Sequence, residues 1–235
     1  MKMATGHRKV DSMSDLIEGE INVISNYINS GDVVFDVGGH KGEWSLEVLG
    51  HHNHIDLHVF EPVPASYEVL LINMKDIDAH LLRFCVSCEG GTAHFWNYPS
   101  VPVLSTIYKR DSRVMERLGI AEPERISVEK ITLDHYCEQA GVRSIDFLKI
   151  DTEGSELDVL KGAEGLLRNQ NIKFIQFEYG GCFPDAGITL KEVHAYLDDC
   201  GYAIGKITAD KIIMVADASE VVEDFGYCNY LGMRK

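Results

Sequence analysis

Apolar residues recur along the chain with two periods, and the switches between them mark an alternation of helices and strands. Ile17, Ile21, Ile24 and Ile28 share one helical face. Ser14 as N-cap, Asp15 and Glu18 in the first turn, and Gly31 beyond the end complete a capped amphipathic helix within residues 12–30. VVFDVGG (Val33 to Gly39) then reads as a buried strand ending in glycines, and EWSLEVL as the helix after it. LHVFEP (Leu57 to Pro62) is a second strand, stopped by proline, and Tyr67, Leu70, Leu71 and Met74 give a second helical stripe. LLRFCVSC is expected to be one strand, turning at Glu89-Gly90-Gly91-Thr92 into AHFWNY as a hairpin.

From Pro99 to Glu124 the pattern loosens around three prolines, with the short helical piece DSRVMERLGI, and this stretch is expected to be a lid-like insertion. ISVEKI alternates like a strand, and a short helix follows with Asp134 as its candidate cap. IDFLKID is again a buried strand. A helix is expected from Ser155 to Leu167, a strand from Ile172 to Tyr179, and a helix over LKEVHAYLDDCGY. AIGKIT and KIIMV, separated by Ala209-Asp210, read as an antiparallel hairpin. Helices between successive strands force crossovers, so the expected fold is α/β: a doubly wound, mostly parallel sheet with the hairpin at one edge. Residues 1–235 are expected to form one domain, since no linker or repeat interrupts the alternation.

Charge narrows the partners. The chain has 22 Lys and Arg against 37 Asp and Glu, a net charge of -15 over 235 residues. Such a field repels polyanions, so nucleic acid is not expected as a partner. No stretch approaches the roughly 18 apolar residues that span a bilayer, and the N-terminal MKMATGHRKVDSMSD lacks the apolar core of a signal peptide. A cytoplasmic protein without membrane attachment is expected. Its six cysteines are then reduced thiols, and Cys85 and Cys88, on opposite faces of a strand with no second pair, make no zinc site. The His51-His52-Asn53-His54 run is expected to be a solvated connection, and no metal ligand set is assigned.

In an open α/β sheet, ligands bind beyond the carboxyl ends of the strands. After the first strand stand Asp36, Gly38, Gly39, His40 and Gly42, where glycines permit close backbone approach and helix N-terminal amides are expected to remain free for an acceptor. Glu61 ends the second strand, 19 positions after Gly42, and an acid there suits the two hydroxyls of a ribose. A nicotinamide site calls for G-x-G-x-x-G. Here the glycines read G-G-x-x-G after an aspartate, which suits a sulfonium or ammonium better than a pyrophosphate. S-adenosylmethionine is therefore the expected cofactor, with a nicotinamide oxidoreductase and a non-catalytic binding module as the alternatives.

DVGGHKG resembles the DVGAxxG motif of class I methyltransferases, with Gly39-His40 where an alanine-asparagine type of pair is commoner. TLDHY and IDFLKIDTEGSELDVLKGAEGLL, within Thr132 to Leu167, closely resemble the signature block of FkbM-type methyltransferases. The likeness extends from Val33 to Tyr179. It implies a seven-stranded, Rossmann-like class I fold, with the terminal hairpin as its antiparallel edge, and O-methylation of a hydroxyl on a sugar or natural product. It also implies that Asp36, Gly38, His40 and Gly42 surround the methionine part of the donor, that Glu61 meets the ribose, and that Ser87 lies near the adenine edge. Ser105 and Thr106 correspond to a serine-rich stretch of similar proteins and are candidate substrate contacts, with Glu153.

Methyl transfer requires in-line alignment and removal of a hydroxyl proton. Lys149 and Asp151 share a strand face at the mouth of the sheet. Asp151 is the first candidate base, Glu178 the second, and Lys149 a partner to Asp151. The same pair also fits a structural ion pair, with Glu153 and Glu156 favouring a helix N-terminus through its dipole. Acceptor specificity or a homo-oligomer contact is expected in the insertion and the first helix.

Overall fold

The structure, a computed structural model, describes residues 12–235. The first eleven residues of the stretch read above for a targeting signal lie outside it. Helix α1 (Met13–Tyr27) begins one cap earlier than expected: Ser12, not Ser14, accepts the amide of Asp15 at 3.2 Å, and the Asp15 carboxylate accepts the Ser12 amide at 2.9 Å. Then follow β1 (Val33–Val37), α2 (Glu43–His51), β2 (Asp56–Phe60), α3 (Pro64–Asn73) and β3 (His80–Leu82). Next are β4 (Cys85–Val86), β5 (Gly91–Asn97), α4 (Ser112–Arg117), β6 (Glu124–Ile131), α5 (Leu133–Ala140) and β7 (Ile145–Ile150). The chain continues through α6 (Glu156–Lys161), α7 (Glu164–Arg168), β8 (Ile172–Tyr179), α8 (Phe183–Ala186) and α9 (Leu190–Asp199), to β9 (Tyr202–Ile207), β10 (Ile212–Val215) and β11 (Cys228–Arg234).

Eight strands make the main sheet, in the order β10-β9-β11-β8-β7-β1-β2-β3. The four pairings among β3, β2, β1, β7 and β8 are parallel and the three that involve β11 or β10 are antiparallel. The expected hairpin of β9 and β10 sits at one edge. The expected count of seven is short by β11, which runs antiparallel between β8 and β9. Both faces are covered, as the near-continuous apolar runs require. Alternation on β1 sends Phe35 and Val37 into one core, with Phe60, Leu148, Leu160 and Leu197. It sends Val34 into the other, with Ile24, Val48, Leu57 and Phe147 under α1 and α2.

Four local expectations change. The single strand over residues 81–88 is two: β3 pairs with β2, whereas β4 leaves the main sheet to pair with β6. The expected hairpin partner of β5 is also different, because β5 pairs antiparallel with β6 in a three-stranded sheet ordered β4-β6-β5, and residues 98–123 make the connection. The helix expected over residues 155–167 breaks at Gly162, where a Cβ would stand 2.1 Å from the Ser87 carbonyl oxygen. Asp134 caps α7 through the amides of Gly165 and Leu166, at 2.7 and 2.9 Å, while Thr132 caps α5. Among the described residues all six cysteines are free, and no helix is long and apolar enough to cross a membrane.

Candidate active site

The glycine turn after β1 is held from below rather than left open. Gly38 and Gly39 both donate to the Phe60 carbonyl, at 2.9 and 3.0 Å, and His40 donates its amide to Glu61 Oε2 at 2.9 Å. These three amides precede α2, whose own N-terminal turn, opened by Gly42, carries no side-chain cap. Gly38 has φ +86°, and a Cβ there would meet the Asp151 carbonyl oxygen at 1.8 Å. Only glycine lets β1 and β7 end this close together.

Asp36 lies beneath the turn. It is fully buried, accepts from Ser45 Oγ at 2.7 Å and lies 3.4 Å from Lys149 Nζ, so it anchors the turn from within the sheet instead of facing the recess above it. Strand register sets Asp36, Lys149 and Gln176 side by side on three neighbouring strands. Gln176 donates to Glu20 of α1 at 2.8 Å. Lys149 Nζ also lies 3.3 Å from Asp151. Burial alone would lower the Lys149 pKa, but the carboxylates of Asp36 and Asp151 outweigh it and hold the ammonium above the ordinary lysine range. Lys149 thus pairs with Asp151 as expected, and with a second acid that the sequence did not assign to it.

Two recesses open at the strand ends and share Gly38, His40, Val103 and Asp151. The first is a cavity of about 260 Å³. On one side it is an apolar slot between Phe60, Val63, Phe84 and Val86, with Glu61 at its edge; on the other it reaches Ser105, Asp151, Glu153 and Glu178. The second is a groove between α1 and the glycine turn, where Ile17, Ile21 and Trp44 surround Glu20, Lys149 and Asp151. Glu20 escaped notice in the sequence because it lies among the isoleucines of the helical stripe; a single acid within an apolar face was the available signal.

Glu61 accepts the Val63 amide at 2.7 Å in addition to that of His40. Burial nonetheless pushes its pKa up to about 8, against the pull of these two donors. Glu178 goes further. Burial, and after it the nearby Asp151, Glu153 and Glu156, push its pKa up to about 10, and its Oε2 is buried without a hydrogen-bond partner. A folded-state pKa above the unfolded one means that the folded protein holds a proton the unfolded chain has lost, so stability falls as pH rises between the two values. Glu178→Gln is therefore expected to melt higher than the parent protein, by a margin that widens from pH 5 to pH 9. Thermal denaturation across that range checks the slope, and parallel curves for the two proteins would refute it.

The remaining residues divide. Ser105 lines the cavity, its Oγ bonded to the Tyr98 amide at 3.0 Å. Thr106 lies outside the lining and donates to the Glu153 carbonyl at 2.8 Å. Glu153 is not at a helix N-terminus: it takes φ +56° and binds the buried Arg110, which also lies 3.6 Å from Asp185. Arg110, unassigned from sequence, fastens the insertion to the strand-end loop. Glu156 is fully buried and accepts the amides of Thr152 and Gly154, so it shapes that loop from inside. Ser87 is buried against Gly162 and does not line the cavity; its neighbours Cys85 and Val86 do. Gly39 lines the groove, and Gly42, with φ +87°, packs on Leu70.

These residues fit a nucleoside-bearing methyl donor: a flat apolar slot, an acid with hydroxyl-accepting capacity at its edge, and acids where a cation would end. Comparison with known proteins agrees. Residues 36–204 match the model of the Methyltransferase FkbM domain. Methyltransferase sdnD of Sordaria araneosa is 26% identical over 209 residues, covering 77% of each chain. The 31-O-demethyl-FK506 methyltransferase FkbM of Streptomyces tacrolimicus is 28% identical over 159 residues, 58% of this chain and 61% of its own. The hexuronic acid methyltransferase AglP of Haloferax volcanii is 24% identical over 206 residues, 85% of this chain and 77% of its own. A precorrin-6y C5,15-methyltransferase structure from Geobacter metallireducens superposes with a TM-score of 0.52 over 93% of this chain and 88% of that one, at 9% identity, a likeness of fold. With its family model spanning well over half of it, this chain belongs to the FkbM family of S-adenosylmethionine-dependent methyltransferases.

Proposed function

We propose that the protein is an O-methyltransferase acting on a hydroxyl of a sugar or natural-product small molecule. The observation that carries this reading is the joining, in one cavity, of the apolar slot beside Glu61 to the carboxyl groups of Asp151, Glu153 and Glu178. The FkbM and AglP relatives, named for 31-O-demethyl-FK506 and for a hexuronic acid, point the same way.

When bound, S-adenosylmethionine supplies a methyl group on a positively charged sulfur. Phe60, Val63, Phe84 and Val86 would hold its base, Glu61 its ribose hydroxyls, and the backbone around Gly38 and His40 its methionine part. Asp151, at the junction of the two recesses, takes the proton from the acceptor hydroxyl, with Lys149 fixing its carboxylate in place. Glu178, holding its own proton, donates a hydrogen bond to a neighbouring acceptor oxygen. Glu153, oriented by Arg110, accepts from another hydroxyl of a polyol. Ser105 closes the far wall.

Transfer of label from methyl-labelled donor to a panel of hydroxylated sugars and natural products tests the reaction, and a fold that binds the donor without transferring label to any of them would mark a binding module. Binding has its own check. Glutamine at position 61 offers one accepting oxygen where two amides now converge, so Glu61→Gln is expected to weaken calorimetric binding of the demethylated donor by about tenfold or more. Unchanged affinity would remove Glu61 from the ribose contact.

A further inference from the structure

Away from the glycine turn, at the opening ends of β2 and β3, three metal-type ligands converge. Asp56 and His58 share one face of β2, two residues apart, and His80 on the edge strand β3 is the register partner of His58. One ligand atom from each lies within 4.8 Å of the others. Asp56 Oδ1 is 3.2 Å from His58 Nε2 and 3.6 Å from His80 Nε2. His58 is only 2% exposed, and its Nε2 faces that Asp56 oxygen without an aligned hydrogen bond. A buried imidazole nitrogen facing a carboxylate, with a second imidazole beside them, is a donor set that a cation can share.

The other nitrogen of His58 supplies the second half of the argument. Nδ1 lies 2.7 Å from the Tyr136 hydroxyl. When Nδ1 carries the ring proton and donates it to Tyr136 Oη, Nε2 is left with its lone pair directed at Asp56 and His80. Metal-binding histidines are oriented in this way by a partner on the distal nitrogen. Two imidazoles and one carboxylate, leaving a position for water, suit zinc and its first-row neighbours rather than magnesium or calcium, which take oxygen ligands.

We propose that Asp56, His58 and His80 form a zinc-type divalent cation site that ties the edge strand β3 to β2. His58 and His80 are stacked, with ring centroids 4.4 Å apart and an angle of 14° between planes. Closing on an ion therefore requires one ring to turn, and His80, 61% exposed, is free to do so, as is the half-exposed Asp56 carboxylate. The site has a structural purpose: β3 is three residues long, and the chain runs from it directly into Phe84, Cys85 and Val86 of the cavity wall. Pinning β3 holds that wall.

The test uses the full chain, stripped with a chelator, then titrated with zinc chloride by calorimetry and with cobalt(II) by visible absorption. His80→Ala and Asp56→Asn change exposed side chains, and without metal both are expected to melt with the parent protein. The parent is expected to bind one equivalent of zinc and to melt about 5 °C higher with the ion in hundredfold excess over its dissociation constant. Both variants are expected to bind at least about tenfold more weakly and to lose the thermal shift. Absence of binding overturns the proposal, as does binding that either substitution leaves unchanged. A sulfur-to-cobalt charge-transfer band overturns it too, because it would place the ion with Cys182, near Glu153 and Glu178.

Discussion

Asp151→Asn is expected to lower kcat by about 10²- to 10⁴-fold, the range that a positioned general base contributes. Asparagine keeps the shape of the side chain and the backbone hydrogen bond from the residue 151 amide to the Val37 carbonyl, so the end of β7 stays in place. Lys149 keeps Asp36 as its partner. Affinity for the demethylated donor should change less than threefold and the melting temperature by no more than about 2 °C, because a 38% exposed side chain leaves the core undisturbed. Single-turnover label transfer beside calorimetry separates these quantities. If the rate falls less than fivefold, Asp151 is not the base. Glu178→Gln makes the companion measurement: a carboxyl that acts while protonated is imitated by the amide donor of glutamine, so its rate should fall far less than that of Asp151→Asn. The reverse ranking would transfer the base role to Glu178.

Gly38→Ala should do the greatest damage to the fold of any single methyl group added at the site. The left-handed backbone disfavours a side chain, and the Cβ would stand 1.8 Å from a backbone oxygen that no rotamer change can move. A loss of at least about 3 kcal/mol is expected, which for a protein of this size lowers the melting temperature by roughly 6 to 12 °C. Since the displaced oxygen belongs to Asp151, transfer should fail even at temperatures where the variant is folded. Gly50→Ala is the control: the site lies within α2, nothing approaches its Cβ within 4 Å, and alanine is the better helix former by about 1 kcal/mol. A Gly38→Ala protein that melts with the parent would mean that the ends of β1 and β7 can part to admit a methyl group.

What could be read from the sequence, and what could not, follows from the range of the interactions involved. β1, β2, β7 and β8 were legible because buried parallel strands are apolar throughout and helices punctuate them. β11 was not. CNYLGMR carries a polar residue and a glycine within a short run, and becomes a strand only because β8 and β9 leave it a place between them. The split of residues 81–88 was equally hidden, since what divides it is β6, some forty residues later. Glu61, Asp151 and Glu178 stand at strand ends, where the sequence puts them, and line one cavity. The ion pair of Asp36 was not legible, because position along a strand does not say which partner waits beside it, and Lys149 does so on the neighbouring strand. Arg110 and Glu20 come from the insertion and the first helix, whose docking no local pattern announces.

The place of β11 governs the order in which the sheet can be assembled. The β9–β10 hairpin can zip up locally as soon as residues 202–215 exist, but it has no seat on the rest of the sheet until residues 228–234 arrive to stand between it and β8. During synthesis the edges of β8 and β9 are therefore exposed together for a stretch of elongation. Pairing across long chain separations closes slowly, and edges left open in that interval are where another chain can pair wrongly. The strand that seals them is made after both of its neighbours.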